Sequence, residues 1–204
     1  MGQVDRETFR KAGVVFRRYG GLLKTTDALQ AGIHPRTLYA MRDAGFLEQL
    51  SRGLYRLAEM PALGSPDLVS VALKVPGGVI CLISALSFHE ITTQIPHEVY
   101  VALERGARAP RLDYPPLRVF RFTGKAFTEG VEDHEIDGVS ARIYSPEKTL
   151  ADCFKYRNKI GLDTALEALR LYRQRKPIKV EALIEFARIC RVEKVMRPYL
   201  EAVL

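Results

Sequence analysis

The chain of 204 residues has no tryptophan, three cysteines and four histidines, and each scarcity removes a class of function. Cys81, Cys153 and Cys190 are odd in number and widely spaced, with no C-x-x-C pair. That excludes a disulfide framework and a zinc ribbon, and it suits a reducing cytoplasm. His34, His89, His97 and His134 are scattered, and Cys81 with His89 and His97 lacks the spacing of a metal site, so no metal and no other cofactor is expected. The apolar run Val79 to Ile83 is far too short to span a bilayer, and Met1 to Arg6 has no apolar signal core; a cytoplasmic protein without a membrane partner is expected. The Met1-Gly2 start is no acylation signal either, because Arg6 stands where serine or threonine is required.

Catalytic pairs are missing in the same way. Pro66-Asp67 could open a metal-dependent nuclease motif, but no acidic residue in the chain is followed two positions later by lysine. Gly64-Ser65 is not followed by the strand-borne carboxylate pair that a nucleotidyltransferase needs to hold magnesium. Ser145-Pro146-Glu147-Lys148 fits S-x-x-K, yet neither S-D-N nor K-T-G follows, and serine before proline is a helix N-cap. No catalytic residue is assigned.

What is present is apolar material for a real core and an excess of positive charge. Hydrophobic residues make up 47% and charged residues 27% of the chain, with a net charge of +7, which favours a polyanionic partner. The density is uneven: residues 1–60 carry 10 Lys/Arg against 6 Asp/Glu, whereas residues 61–204 carry 21 against 18. The cationic third is the N-terminal one.

That third has a recognisable pattern. Phe9, Ala12, Val15, Phe16 and Tyr19 follow helical spacing and Gly20-Gly21 ends the run. Thr25 and Thr26 can cap a short helix over Asp27 to Ala31, Gly32 turns the chain, and His34-Pro35 opens a second helix that should stop near Ala44, before Gly45. Phe46 to Leu50 and Leu54 to Leu57 then alternate around Ser51-Arg52-Gly53 as a hairpin. Two short helices at a tight turn followed by a small β-ribbon make a winged helix-turn-helix, and that implies duplex DNA. At about 100° per residue, Leu38 and Met41 face inward while Arg36, Tyr39, Ala40 and Asp43 face outward. Arg36 suits a bidentate grip on guanine, and Thr37 and Ala40 can approach a thymine methyl. Tyr39, Arg42, Arg52 and Arg56 suit phosphate, and His34 is expected at the surface beside them.

A loop at Pro61, Gly64, Ser65 and Pro66 places a boundary near residue 60, giving a DNA-binding domain over 1–60 and a larger α+β domain over 61–204. The latter should hold a short helix over Asp67 to Lys74, a buried strand Val79 to Leu82 and a helix Ala85 to His89. Strands follow at Val99 to Leu103, Leu117 to Phe122, Glu132 to Ile136 and Val139 to Tyr144, the last two joined by the hairpin signal Asp137-Gly138. A helical tail begins at Ser145-Pro146 and continues through amphipathic runs at Leu162 to Tyr172 and Val180 to Cys190, then a helix from Val192 that should kink at Pro198.

Several strings in this order resemble one family. They are Ser51-Arg52-Gly53-Leu54-Tyr55-Arg56-Leu57, then Val99 to Leu103, Ile136-Asp137-Gly138-Val139 and Tyr144 to Asp152, and finally Gly161-Leu162-Asp163 before Ala165 to Leu169. Together the chain resembles the AbiEi-type antitoxins of type IV abortive-infection toxin-antitoxin systems. The resemblance implies a bacterial protein that binds repeats in its own promoter through the winged helix and represses the operon. It also implies a C-terminal domain that counteracts a nucleotidyltransferase-like toxin without a stable complex. It carries DNA contact to Arg36, Thr37, Tyr39, Arg42, Arg52 and Arg56. Two other readings stay open: a nucleic-acid-directed enzyme with its site in the larger domain, and a regulator whose larger domain binds a protein partner directly.

Overall fold

The computed structural model describes residues 3–203; the Met1-Gly2 start lies outside the described residues. The first unit forms around two phenylalanines of α1 (Gln3–Arg18). Phe9 and Phe16 pack with Leu23, Ala28, Ile33, Leu38, Met41, Leu47 and Leu57 in one cluster, so every element of the unit closes on the same core. These elements are β1 (Leu22–Lys24), α2 (Thr25–Gln30), α3 (Pro35–Asp43), β2 (Leu47–Ser51) and β3 (Leu54–Leu57). The strands run antiparallel in the order β1-β3-β2.

Local chemistry explains the turn helices only in part. The cap expected from Thr25 and Thr26 does not form: α2 starts at Thr25 itself, behind Lys24, with no side-chain cap bond. Thr25 N donates to Gly53 O at 2.9 Å and the Thr26 hydroxyl donates to Asp27 Oδ1 at 3.0 Å; the wing turn has replaced the cap as partner of the first amide. α3 meets its expectation. Pro35 occupies the first turn and the ring of His34 accepts from Arg36 N. At the other end Gly45 is left-handed at φ +76, while its N–H reaches Arg42 O and that of Phe46 reaches Met41 O, the paired bonds of a Schellman stop. β1 is absent from the sequence reading, because three residues carry no alternation to detect.

Residues 61–65 connect to a second, mixed sheet with the order β6-β5-β4-β8-β7. In chain order come α4 (Pro66–Lys74), β4 (Val79–Ile80), α5 (Leu82–Phe88), β5 (Val99–Glu104), β6 (Leu117–Phe122) and α6 (Lys125–Thr128). Then follow β7 (Val131–Ile136), β8 (Val139–Tyr144), α7 (Pro146–Lys155), α8 (Arg157–Ile160), α9 (Leu162–Arg175), α10 (Val180–Ile189) and α11 (Glu193–Val203). β5 pairs β6 in parallel and β4 pairs β8 in parallel, while β4–β5 and β7–β8 are antiparallel. Asp137 and Gly138 both have positive φ, +49 and +78, as a two-residue hairpin of the primed kind requires.

The sheet separates two apolar layers. Val79, Tyr100, Ala102, Phe120, Phe122 and Tyr144 meet Leu150, Phe154, Leu169, Tyr172, Leu183 and Met196 of the C-terminal helices. On the other face Ile80, Ala141 and Ile143 cluster with Val69 of α4, and Val99, Val101 and Leu103 cluster with its Val71. Strand β5, covered on both faces, is therefore apolar at every position up to Leu103. The strand expected over Val79 to Leu82 is shorter: Cys81 already precedes α5 and Leu82 takes a positive φ of +47. An apolar run alone does not distinguish a strand from the start of a buried helix. α6 and α8 are short helices outside the sequence reading, and α11 runs on through Pro198.

The two units touch. Leu22 and Leu63 pack against the cluster that holds Val69 and Ile136, and Gly64 N and Ser65 N each donate to the Asp137 carboxylate at 3.1 Å. Lys74 Nζ donates to the carbonyl of Arg52 at the tip of the β2–β3 wing. Among the described residues no helix is long and apolar enough to cross a membrane.

Candidate nucleic-acid interface

Helix α3 presents one buried face and one wet one. Leu38 and Met41 are buried, whereas Arg36, Tyr39 and Asp43 are exposed. Ala40 departs from the sequence reading: it is half-buried, packed against the module core with Val15 and Met60, so its methyl serves packing more than a groove. Thr37 is half-buried. His34 is exposed as expected, but its ring is occupied as the N-cap, Nδ1 accepting from Arg36 N at 3.2 Å.

The charges on this helix divide into neutralised and free. Arg42 donates to Asp43 Oδ1 through Nε at 2.9 Å and Nη2 at 2.7 Å, and its guanidinium lies 5.4 Å from the centre of the Tyr39 ring. Asp43, awkward beside phosphates, is thus offset by its neighbour. Arg36 has no hydrogen-bond or ion-pair partner for its guanidinium among the described residues. It sits in the first turn of α3, where recognition helices meet base edges.

The hairpin arginines behave oppositely to one another. Arg52, at the turn, keeps 88% of its side chain exposed, with Asp113 Oδ2 4.0 Å away. Arg56, expected to reach phosphate, is buried at 5%. Its guanidinium donates to Glu48 Oε2 at 2.9 and 3.2 Å and to the carbonyls of Met60 and Pro61. The cause is topological: Arg56 lies on the central strand, opposite both Leu22 and Glu48, and a charge there must find partners inside. It leaves the set of groups free to meet DNA.

Sequence reasoning missed cations that only the contact between the units gathers. Lys24, Lys74 and Arg111 join the already expected Arg52, with Thr25, Thr26 and the acidic Asp113, around an open cleft of about 860 Å³ beside the wing. Burial first, and then the nearby charges of Lys24 and Arg52, hold the Lys74 ammonium pKa below its ordinary value. No local motif links residues 24, 74 and 111.

The remaining motifs resolve as follows. Ser145 Oγ accepts from Lys148 N at 3.3 Å, and Lys148 Nζ pairs with Asp152 Oδ2 at 2.5 Å, both side chains fully buried. The S-x-x-K string is therefore a cap followed by a helix-borne ion pair, closed to substrate. Cys81, Cys153 and Cys190 are free and buried. The histidines are less scattered than the sequence suggests: His89, Glu132 and His134 come together, their ligand atoms all within 4.8 Å of one another, while His97 is exposed.

A three-stranded sheet with a β2–β3 wing behind the capped helix α3, joined to a mixed sheet with a helical layer, defines a winged helix-turn-helix protein of the α+β class. Residues 15–58 match the model of the family described as "Transcriptional regulator, AbiEi antitoxin", the family the sequence resembles. No curated protein matches the chain. The whole fold is similar to the crystal structure of RV2827C protein from Mycobacterium tuberculosis, with a TM-score of 0.57 over 94% of this chain and 80% of that one. At 14% identity the likeness is one of fold.

Proposed function

We propose that this chain is a bacterial antitoxin and autorepressor: residues 1–60 bind repeats in its own promoter, and residues 61–204 neutralise a nucleotidyltransferase-like toxin without a stable complex. It acts in the cytoplasm. The observation that carries the DNA half is Arg36 on the exposed face of α3, whose guanidinium has no partner among the described residues, together with the exposed Arg52 on the wing. The family match over residues 15–58, described as a transcriptional regulator and antitoxin, supports the regulator reading of the N-terminal unit, and the antitoxin role of residues 61–204 extends that description to the rest of the chain. Arg36 reads base edges with Thr37 beside it; Tyr39, Arg42 and Arg52 hold the backbone, and Lys24, Lys74 and Arg111 extend the phosphate track.

The test is a gel-shift titration on promoter DNA across salt concentrations. Each phosphate contact steepens the log–log salt dependence by about 0.9, so Arg36→Ala with Arg52→Ala should weaken binding at least about tenfold and flatten the slope by roughly one to two contacts. An unchanged affinity and slope would remove this surface as the reader. The same full-length double variant, expressed from a foreign promoter beside the toxin, should still restore growth. Loss of rescue together with loss of repression would instead tie neutralisation to DNA, and co-purification of a one-to-one complex would favour direct toxin binding.

A further inference from the structure

His89 meets two residues from a distant segment, Glu132 and His134, at the outer edge of the second sheet. His89 caps the C-terminus of α5, and Glu132 and His134 stand two residues apart on edge strand β7, hence on one face of it. Ile143 and Ala141 lie opposite them on β8, with the apolar cluster of Val69 and Ile80 underneath. His134 Nε2 is 3.1 Å from Glu132 Oε2, and the two imidazole rings are 5.8 Å apart. Phe88 packs edge-on against both, at 5.2 and 4.9 Å.

His89 is anchored as a metal-binding imidazole is. Its Nε2 is 2.7 Å from the carbonyl of Tyr144 in a buried position. A carbonyl only accepts, so Nε2 carries the hydrogen and Nδ1 keeps its lone pair. A ligating histidine is oriented by this same outer bond to a backbone carbonyl. The other two groups remain accessible, with 44% of the Glu132 side chain and 30% of the His134 side chain exposed.

We propose that His89, Glu132 and His134 form a site for one divalent transition-metal ion of the zinc class. Two imidazoles and a carboxylate suit Zn²⁺, Co²⁺ or Ni²⁺ rather than the all-oxygen preference of Ca²⁺ or Mg²⁺. Tetrahedral zinc with bonds of about 2.0–2.1 Å needs its donors roughly 3.4 Å apart, and small side-chain rotations bring donors from within 4.8 Å to that separation. The buried side is closed by Phe88 and the outer side leaves a fourth position for water. Bound there, the ion ties the end of α5 to the sheet edge.

The full-length protein, stripped with a chelator and dialysed, is titrated with Co²⁺. The result expected is one equivalent bound with the intense visible absorption of four-coordinate cobalt, displaced by Zn²⁺, and a rise in Tm on adding Zn²⁺. Loss of a mere outer partner weakens metal affinity about 10–100-fold, so His134→Ala and Glu132→Gln should each weaken it by at least that much and abolish the Tm rise. Both sit on a solvent-facing edge, and retained promoter binding in the gel shift checks that they fold. His97→Ala should bind metal like the parent. No cobalt absorption at micromolar metal, or binding undiminished in both ligand variants, would overturn the proposal and leave Glu132 and His134 as a simple ion pair.

Discussion

Charged residues do opposite things on α3 and on α7. Along α7 Lys148 and Asp152 are fully buried, and the other polar atoms near them are paired as well: Cys190 Sγ contacts Asp152 Oδ1 at 3.2 Å and Tyr172 donates to Glu147 at 2.8 Å. The Lys148 ammonium also lies over the ring of Tyr144 at 4.1 Å. Every partner is internal, so this network shapes the domain. On α3 the guanidinium of the exposed Arg36 has no partner among the described residues. A cation left without an internal partner on an exposed helix face is available to a ligand; one enclosed by partners is architecture.

Breaking the enclosed network should have the largest effect. Lys148→Met leaves the buried Asp152 carboxylate without its counter-charge, with only the Cys190 thiol beside it, and should cost about 3–5 kcal/mol in urea unfolding. Adding Asp152→Leu should recover most of that, and a small cost for the single variant would contradict the enclosure. Arg56→Ala comes next: freeing Glu48 and two carbonyls should lower stability by about 2 kcal/mol while the folded protein keeps its promoter affinity within about twofold. Arg36→Ala should do the reverse, weakening DNA binding by about 1–3 kcal/mol with stability changed by less than about 0.5 kcal/mol. A change in unfolding free energy for Arg36→Ala as large as that of Arg56→Ala would erase the contrast.

The smallest effect concerns the thiols. Burial pushes the Cys81 and Cys153 thiols well up and the Cys190 thiol up to about 12. Folded pKa values above the unfolded value near 8.5 mean that the neutral thiols favour the fold fully below that pH. Their contribution is lost as the pH climbs toward 12. The native protein should show no thiol reactive to a disulfide reagent at pH 8, and all three after denaturation; rapid labelling of the native protein would contradict the burial.

The sequence was most readable where chemistry is local. Pro35 and Gly45 bracket α3, Asp137-Gly138 turns β7 into β8, and Ser145-Pro146 opens α7, each within a few residues of its partner. It was least readable where the answer depended on a distant segment. Without β1, strand β3 looks like a free edge and Arg56 looks exposed; once Leu22 pairs opposite it, the same arginine is interior. The Thr25 amide was lost to Gly53 for a similar reason. His89 and His134 share no periodicity, and only the folding of β7 beside the end of α5 makes them neighbours. Lys74 and Arg111 join the basic cleft through contact between the two units, which no spacing encodes.

The bond from Lys74 to the Arg52 carbonyl makes α4 a brace for the ribbon tip. An excised N-terminal fragment would keep the bond from Thr25 N to Gly53 O and the pairing of β3 with β1, and would lose only this outer prop on the ribbon.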